Sequence, residues 1–268
     1  MGIVNVTPDS FSDGGRFFDP QAAVAQGLQL AADGADLLDV GGESTRPYAD
    51  AVDEQEELRR VLPVVARLAE QTKLPISIDT SKASVAREAL SAGAEIINDV
   101  TALAGDPGML AIAIESQAGV CAMHLRGTPQ TMQDDPQYED VVAEVLEFLR
   151  IRRDALIAAG ISPERLALDP GIGFGKTHQH NLTLLAGCRR LHELKQPVLV
   201  GPSRKAFIGK VIGDKLADRT AGTVGVALSL AQQGVQILRV HNVADVRQAL
   251  LLFEATGGLN GQAAKLND

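Results

Sequence analysis

Eight short apolar runs recur along the chain, at residues 2–6, 36–41, 75–79, 95–99, 119–124, 165–169, 197–201 and 236–241. Most are continuous rather than alternating, the pattern of parallel strands covered on both faces. Between them, apolar positions return at spacings of three and four, which predicts amphipathic helices. Leu58, Val61, Leu62, Val65 and Leu68 form one such stripe. Val141, Val142, Val145, Leu146 and Leu149 form another, on a helix expected over residues 138–159 and expected to be the longest. Asp53 followed by Glu56 is a capping-box-like start for the second helix. Gly34, Gly93, Gly160 and Gly234 stand where four helices must stop, at positions that need a left-handed backbone. The last helix is expected over residues 244–254, with a frayed Gly-rich tail at 256–268.

Eight strand–helix units without a linker or composition break predict one domain, residues 1–268, folded as a single (β/α)8 TIM barrel. An open doubly wound sheet is the competing architecture and usually has fewer strands. The first strand begins at residue 2, so the expected barrel lacks the usual segment before that strand.

Composition narrows the function classes. With 45% hydrophobic and 22% charged residues among 268, a sizeable core is available. The net charge of -9 argues against a general nucleic-acid or anionic-membrane surface. No apolar run approaches a membrane span, and the start has neither the basic region nor the apolar stretch of a signal peptide. Cys121 and Cys188 form no paired motif, which suits a reducing cytoplasm. The expectation is a soluble cytoplasmic protein that binds neither nucleic acid nor membrane.

The strands end in polar groups: Asn5, Glu43-Ser44-Thr45, Asp79, Asn98-Asp99, His124, Asp169, Ser203-Arg204-Lys205, and Arg239 with His241. Polarity returns at any strand exit, but a charged or amide group at all eight points to a site, because barrel strands converge on one rim. Asp79 and Asp169 each terminate an apolar strand and need partners there. With Asn98 they could form a donor/acceptor array for a heterocycle with amidine-like N–H groups. Helix capping by Asp79 and a turn role for Asp169 are the plainer readings of each alone. Arg204, Lys205, Arg239 and His241 follow strands seven and eight, where barrels commonly hold phosphate. The long connections around residues 7–15 and 43–50 are candidate lids.

Two motifs do not survive inspection. Gly171-Ile172-Gly173-Phe174-Gly175-Lys176-Thr177 has Pro170 where a P-loop needs glycine, and Lys176 where a dinucleotide fingerprint needs one. His178 and His180 form a His-x-His pair without an evident third ligand, which reads as surface or capping histidines rather than zinc.

Asn5-Val6-Thr7-Pro8-Asp9-Ser10-Phe11-Ser12-Asp13-Gly14-Gly15 resembles the first signature of the dihydropteroate synthase family, and Asp39-Val40-Gly41-Gly42-Glu43-Ser44-Thr45-Arg46-Pro47 resembles the second. Ser77-Ile78-Asp79-Thr80, Ile97-Asn98-Asp99, Met123-His124, Leu168-Asp169-Pro170-Gly171, Ser203-Arg204-Lys205 and Arg239-Val240-His241 follow in the family's order. The resemblance covers essentially the whole chain. It implies a transferase of folate biosynthesis that condenses a pterin pyrophosphate with p-aminobenzoate and releases pyrophosphate. It further implies that Asp79, Asn98, Asp169 and Lys205 hold the pterin, with Asp79, Asp169 and Lys205 catalytic. Asn5 would coordinate Mg2+ on the pyrophosphate, whose oxygens fall to Thr45, Arg239 and His241. Phe11, Arg46, Pro47, Phe174, Ser203 and Lys205 would shape the p-aminobenzoate pocket that sulfonamides imitate. A homodimer is implied as well, and the small-residue helix 220–233 could allow close approach. Pro202 departs from the commoner residue, which bears on the fine shape of that pocket.

Two other readings compete. A pterin-barrel methyltransferase working with a corrinoid protein could share Asp79, Asn98 and Asp169, but needs neither the 5–15 loop nor the Ser203-Arg204-Lys205 cluster. A paralogue that binds pterin without turnover is the non-enzyme reading.

Overall fold

The apolar runs become eight parallel strands: β1 (Gly2–Asn5), β2 (Leu38–Gly41), β3 (Ile76–Asp79), β4 (Ile96–Asp99), β5 (Gly119–Met123), β6 (Leu166–Asp169), β7 (Leu199–Val200) and β8 (Ile237–Leu238). The structure is a computed structural model that describes residues 1–7, 19–45, 49–128 and 130–264. Strands β1 to β6 pair in sequence order, and β7 pairs with β8. Two bridges, Leu168 to Val198 and Gly2 to Val240, join the sheets into a ring. Backbone bonds hold both seams: Leu168 N–H donates to Pro197 O at 2.9 Å, and Ile3 N–H to Val240 O at 3.1 Å. The Met1 ammonium donates to Leu238 O at 3.0 Å beside the second seam. The expected barrel is therefore closed, and its strands leave no exposed sheet edge among the described residues.

Nine α-helices lie among the described residues: α1 (Pro20–Ala32), α2 (Glu54–Gln71), α3 (Ala83–Ser91), α4 (Met109–Ser116), α5 (Val141–Ala158), α6 (His178–Ala186), α7 (Ala206–Ile212), α8 (Thr220–Gln232) and α9 (Val243–Ala255). One follows each strand, except that β7 is followed by both α7 and α8. The stripe of α2 is packed inward, with Val61, Val65 and Leu68 fully buried against Val40 and Ile78 of the strands. Asp53 caps α2 by accepting from Glu56 N–H at 2.8 Å, but the Glu56 carboxylate turns to Arg59 and Arg60, so only half of the capping box forms. The fifth helix starts three residues later than its pattern suggested, because Asp140 caps it by accepting from Val142 and Ala143 N–H. At 18 residues it equals α2 rather than exceeding it. Gly34, Gly93, Gly160 and Gly234 all have positive φ, between 86 and 112°. After α9 the backbone folds into turns, and Ala264 N–H returns to Ala255 O at 2.8 Å.

Among the described residues, no helix is long and apolar enough to cross a membrane.

Candidate active site

Register brings the site together. Asn5, Gly41, Asp79, Asn98 and Cys121 are successive partners across β1 to β5, so they form one line near the C-terminal ends of the strands. That end of a parallel barrel is where active sites are built. Gly41 keeps the line open: a Cβ there would lie 3.3 Å from the Asp79 Cβ. Two residues before Gly41, and so on the same face of β2, is Asp39.

Arg239 organises the floor of the mouth. Its Nε donates to Asp39 Oδ2 and its Nη2 to Asp79 Oδ2, both at 2.6 Å. Asn98 Nδ2 lies 3.3 Å from both Asp39 oxygens. One guanidinium thus serves two carboxylates in a desolvated place. Burial, opposed by Arg239 and reinforced by the Asp39 charge, raises Asp79 to about 7. For Arg239 burial works against the charge, but Asp39 and Asp79 outweigh it and the pKa rises. Cys121 is buried beside these acids, which pushes its thiol well up.

Asp169 forms the next wall. Burial raises it to about 6, against the Gly171 N–H that its Oδ1 accepts at 2.7 Å and the nearby Lys205 charge. Lys205 Nζ stands 4.3 Å over the Phe174 ring in a cation–π contact, and its charge acts on Asp169. On the β7–β8 side, Ser203 Oγ lies 2.9 Å from His241 Nδ1 and accepts from His241 N–H at 3.2 Å. His241 Nε2 lies 3.5 Å from Asn5 Nδ2. Arg204 turns away from this wall to Asn242 Oδ1, which it reaches with Nε and Nη2.

The structure therefore brings Asn5, Asp79, Asn98, Asp169, Phe174, Ser203, Lys205, Arg239 and His241 to one mouth. Arg239, expected on pyrophosphate oxygens, has two of its nitrogens on Asp39 and Asp79 and belongs to the acid floor. Thr45 is half-buried just beyond β2, at the foot of its loop. Phe11, Arg46 and Pro47 lie outside the described residues. His178 and His180 begin α6, where His180 N–H donates to Thr177 Oγ1 and Thr177 N–H to His180 Nδ1, so His180 is a capping residue.

Sequence reasoning missed Asp39 and Lys176. Asp39 is fully buried between Arg239 and Asn98. Its signal was an acid in the middle of an apolar strand, which must find a counter-charge. Lys176 is 2% exposed, and its Nζ lies 2.9 Å from His124 Nδ1, Gly171 O and Phe174 O. Burial pulls Lys176 down to about 7, with Asp169 opposing and Arg126 and Lys205 assisting. Burial, with Lys176 and Arg126 nearby, holds His124 down at about 3 and keeps it neutral.

A closed parallel barrel with acids, an amide and cations gathered at the C-terminal ends of its strands defines a class: barrel proteins with a polar small-molecule site at that mouth. A family model described as pterin binding enzyme matches residues 1–241. The dihydropteroate synthase of Haemophilus influenzae is 46% identical over 256 residues, covering 96% of this chain and 93% of the relative. A Yersinia pestis dihydropteroate synthase in a sulfonamide drug complex superposes with a TM-score of 0.90 at 45% identity, covering 96% of this chain and 93% of that one. A Xanthomonas albilineans dihydropteroate synthase with 4-aminobenzoic acid gives 0.89 at 52% identity, covering 95% and 91%. The chain belongs to the pterin-binding enzymes and, within them, to the dihydropteroate synthase family.

Proposed function

We propose that this protein joins a dihydropterin pyrophosphate to p-aminobenzoate, releasing pyrophosphate and forming dihydropteroate. The observation that carries this reading is the floor itself, where Asp39, Asp79, Asn98 and Arg239 contact one another beside Asp169. A carboxylate accepts two parallel N–H bonds from an amidine-like ring edge, so Asp169 and Asp79 suit the pterin. As C–O cleavage leaves positive character on the pterin methylene, ionised Asp79 and Asp169 stabilise it, and no protein nucleophile is needed. The amine of p-aminobenzoate attacks that carbon and loses a proton, while the pyrophosphate takes the electron pair of the broken bond. His241 faces the departing anion, and Phe174, Ser203 and Lys205 flank the aminobenzoate ring.

A magnesium ion fits Asn5, whose amide oxygen is the hard donor this ion prefers, with substrate oxygens and water completing its shell. Once bound, the ion would neutralise charge on the leaving pyrophosphate. A homodimer is supported by the outer face of α8, where Ala221, Gly225 and Ser229 are exposed, next to exposed Leu251 and Leu252 of α9. Two unpaired, buried cysteines agree with a reducing compartment such as the cytoplasm.

The test is pyrophosphate release on mixing the two substrates, with and without Mg2+, for the wild type, Asp169→Asn and Lys205→Ala. Turnover by the wild type alone, dependent on Mg2+, is expected. Pterin binding by calorimetry without any product would replace this reading with a non-catalytic one, and near-normal turnover by either variant would overturn the assigned roles.

A further inference from the structure

Lys176 is the largest fully buried side chain among the described residues, yet it ends in an amine. Among the described residues it makes no ion pair within salt-bridge distance. Instead its Nζ meets three acceptors at 2.9 Å: Gly171 O where β6 exits, Phe174 O in the loop, and His124 Nδ1 just after β5. Three acceptors match the three N–H bonds of an ammonium.

The loop so held is built for one shape. Gly171, Gly173 and Gly175 alternate at positive φ of 69, 86 and 61°. From outside, Gln133 Nε2 donates to Gly173 O, Asn181 Oδ1 accepts from Gly173 N–H, and Tyr138 OH donates to Gly175 O. Each outer contact falls on a glycine. The Phe174 carbonyl, on the residue whose ring meets Lys205, is held from within by Lys176. Its ring lies under Lys205, and Lys205 stands beside Asp169. A shift of the Phe174 backbone therefore moves the ring and the cation above it together.

We infer that Lys176 is a positioning residue for the p-aminobenzoate side of the site, fixing Phe174 and through it Lys205 without touching substrate. This rests on the condensation proposed above. It predicts an effect weighted toward p-aminobenzoate, because Asp79, Asn98 and Arg239 are held by one another and by Asp39, and among the pterin-side acids only Asp169 touches this loop, through Gly171 N–H.

The experiment measures KM for each substrate and kcat in Lys176→Met, which has no donor, and Lys176→Gln, which keeps two N–H groups but no charge. KM for p-aminobenzoate should rise on the order of tenfold in Lys176→Met, the size of one charged hydrogen bond, and less in Lys176→Gln. KM for the pterin pyrophosphate should stay within about twofold. A merely structural lysine would reduce the amount of active enzyme and leave both KM values alone. Unchanged KM values, or equal rises in both, would overturn the inference. Should Lys176→Met not fold, Lys176→Gln decides by the same split. A wild type that releases no pyrophosphate would instead defeat the proposed reaction, before any variant is compared.

Discussion

Arg239 and Asp39, 200 residues apart in the chain, meet at 2.6 Å in the barrel mouth, and the same guanidinium holds Asp79. Among the described residues neither acid has another ion pair, and the guanidinium holds both. Arg239→Met would strand two buried carboxylates, a change that costs roughly 3–5 kcal/mol when one partner of a buried pair is removed. Adding Asp39→Asn should recover part of that loss, because neighbours in one network are not additive. Urea denaturation of both single variants and the double closes the cycle. Additive losses would show that the contact carries no coupling.

The same floor predicts how stability varies with pH. Asp79 and Asp169 sit at about 7 and about 6, above the usual carboxylate value, chiefly because of burial. His124, held neutral, binds fewer protons folded than unfolded below about pH 6.5 and so raises stability with pH; between about pH 4 and pH 7 Asp79 and Asp169 do the reverse, and their contribution to the unfolding free energy falls as pH rises. In Asp79→Asn that slope should be visibly shallower across the window. Denaturant midpoints at pH 5, 6, 7 and 8 measure it, and an unchanged slope would remove Asp79 as its source.

Two glycines with similar backbone angles should respond differently to alanine. Gly171 has φ of 69°, and a Cβ there would lie 2.0 Å from His124 O, whereas Gly213 has φ of 78° with nothing within 4 Å. Gly213→Ala should cost only the left-handed strain of about 1–2 kcal/mol. Gly171→Ala must also move the backbone after β5, so it should lose more stability and raise KM for p-aminobenzoate. Equal melting shifts would contradict this.

How much of this was legible in the sequence differs by element. Eight apolar runs with polar ends gave all eight strands, because continuous apolarity and a charged exit are local signals. The ladders of β7 and β8 shrink to two residues each, and the ring closes beside them, where Pro197 O accepts from Leu168 N–H of β6 and Val240 bonds to Met1 and Ile3. No local pattern announces that closure. Asp79, Asn98 and Asp169 were readable as strand tips, but Asp39 was not, because its partner lies on the eighth strand. Lys176 was hidden for a different reason: two of its three acceptors are backbone carbonyls, which every sequence has.

Lys82 illustrates the same limit and gives a further prediction. It begins α3 and joins Glu43, with Glu57 Oε2 at 2.6 Å from its Nζ. Glu57 is fully buried despite lying in the acidic first turn of α2. Glu43 also accepts from Val52 N–H at 3.1 Å, tying the two ends of the 43–52 connection that carries Thr45. Lys82→Met should destabilise the fold by roughly 3 kcal/mol or more, with Glu57→Gln in the same chain restoring much of it. Thermal melts of the three variants check this, and a double variant no better than Lys82→Met would refute the pairing.

The mouth has a sign that changes with depth. Asp39, Asp79 and Asp169 outnumber the one guanidinium at the bottom, while Lys205 and His241 stand at the lip. A molecule with an electropositive ring and an anionic tail meets a field that turns it before any wall is touched. Such a molecule should favour entry with its ring leading, and added salt should weaken that preference.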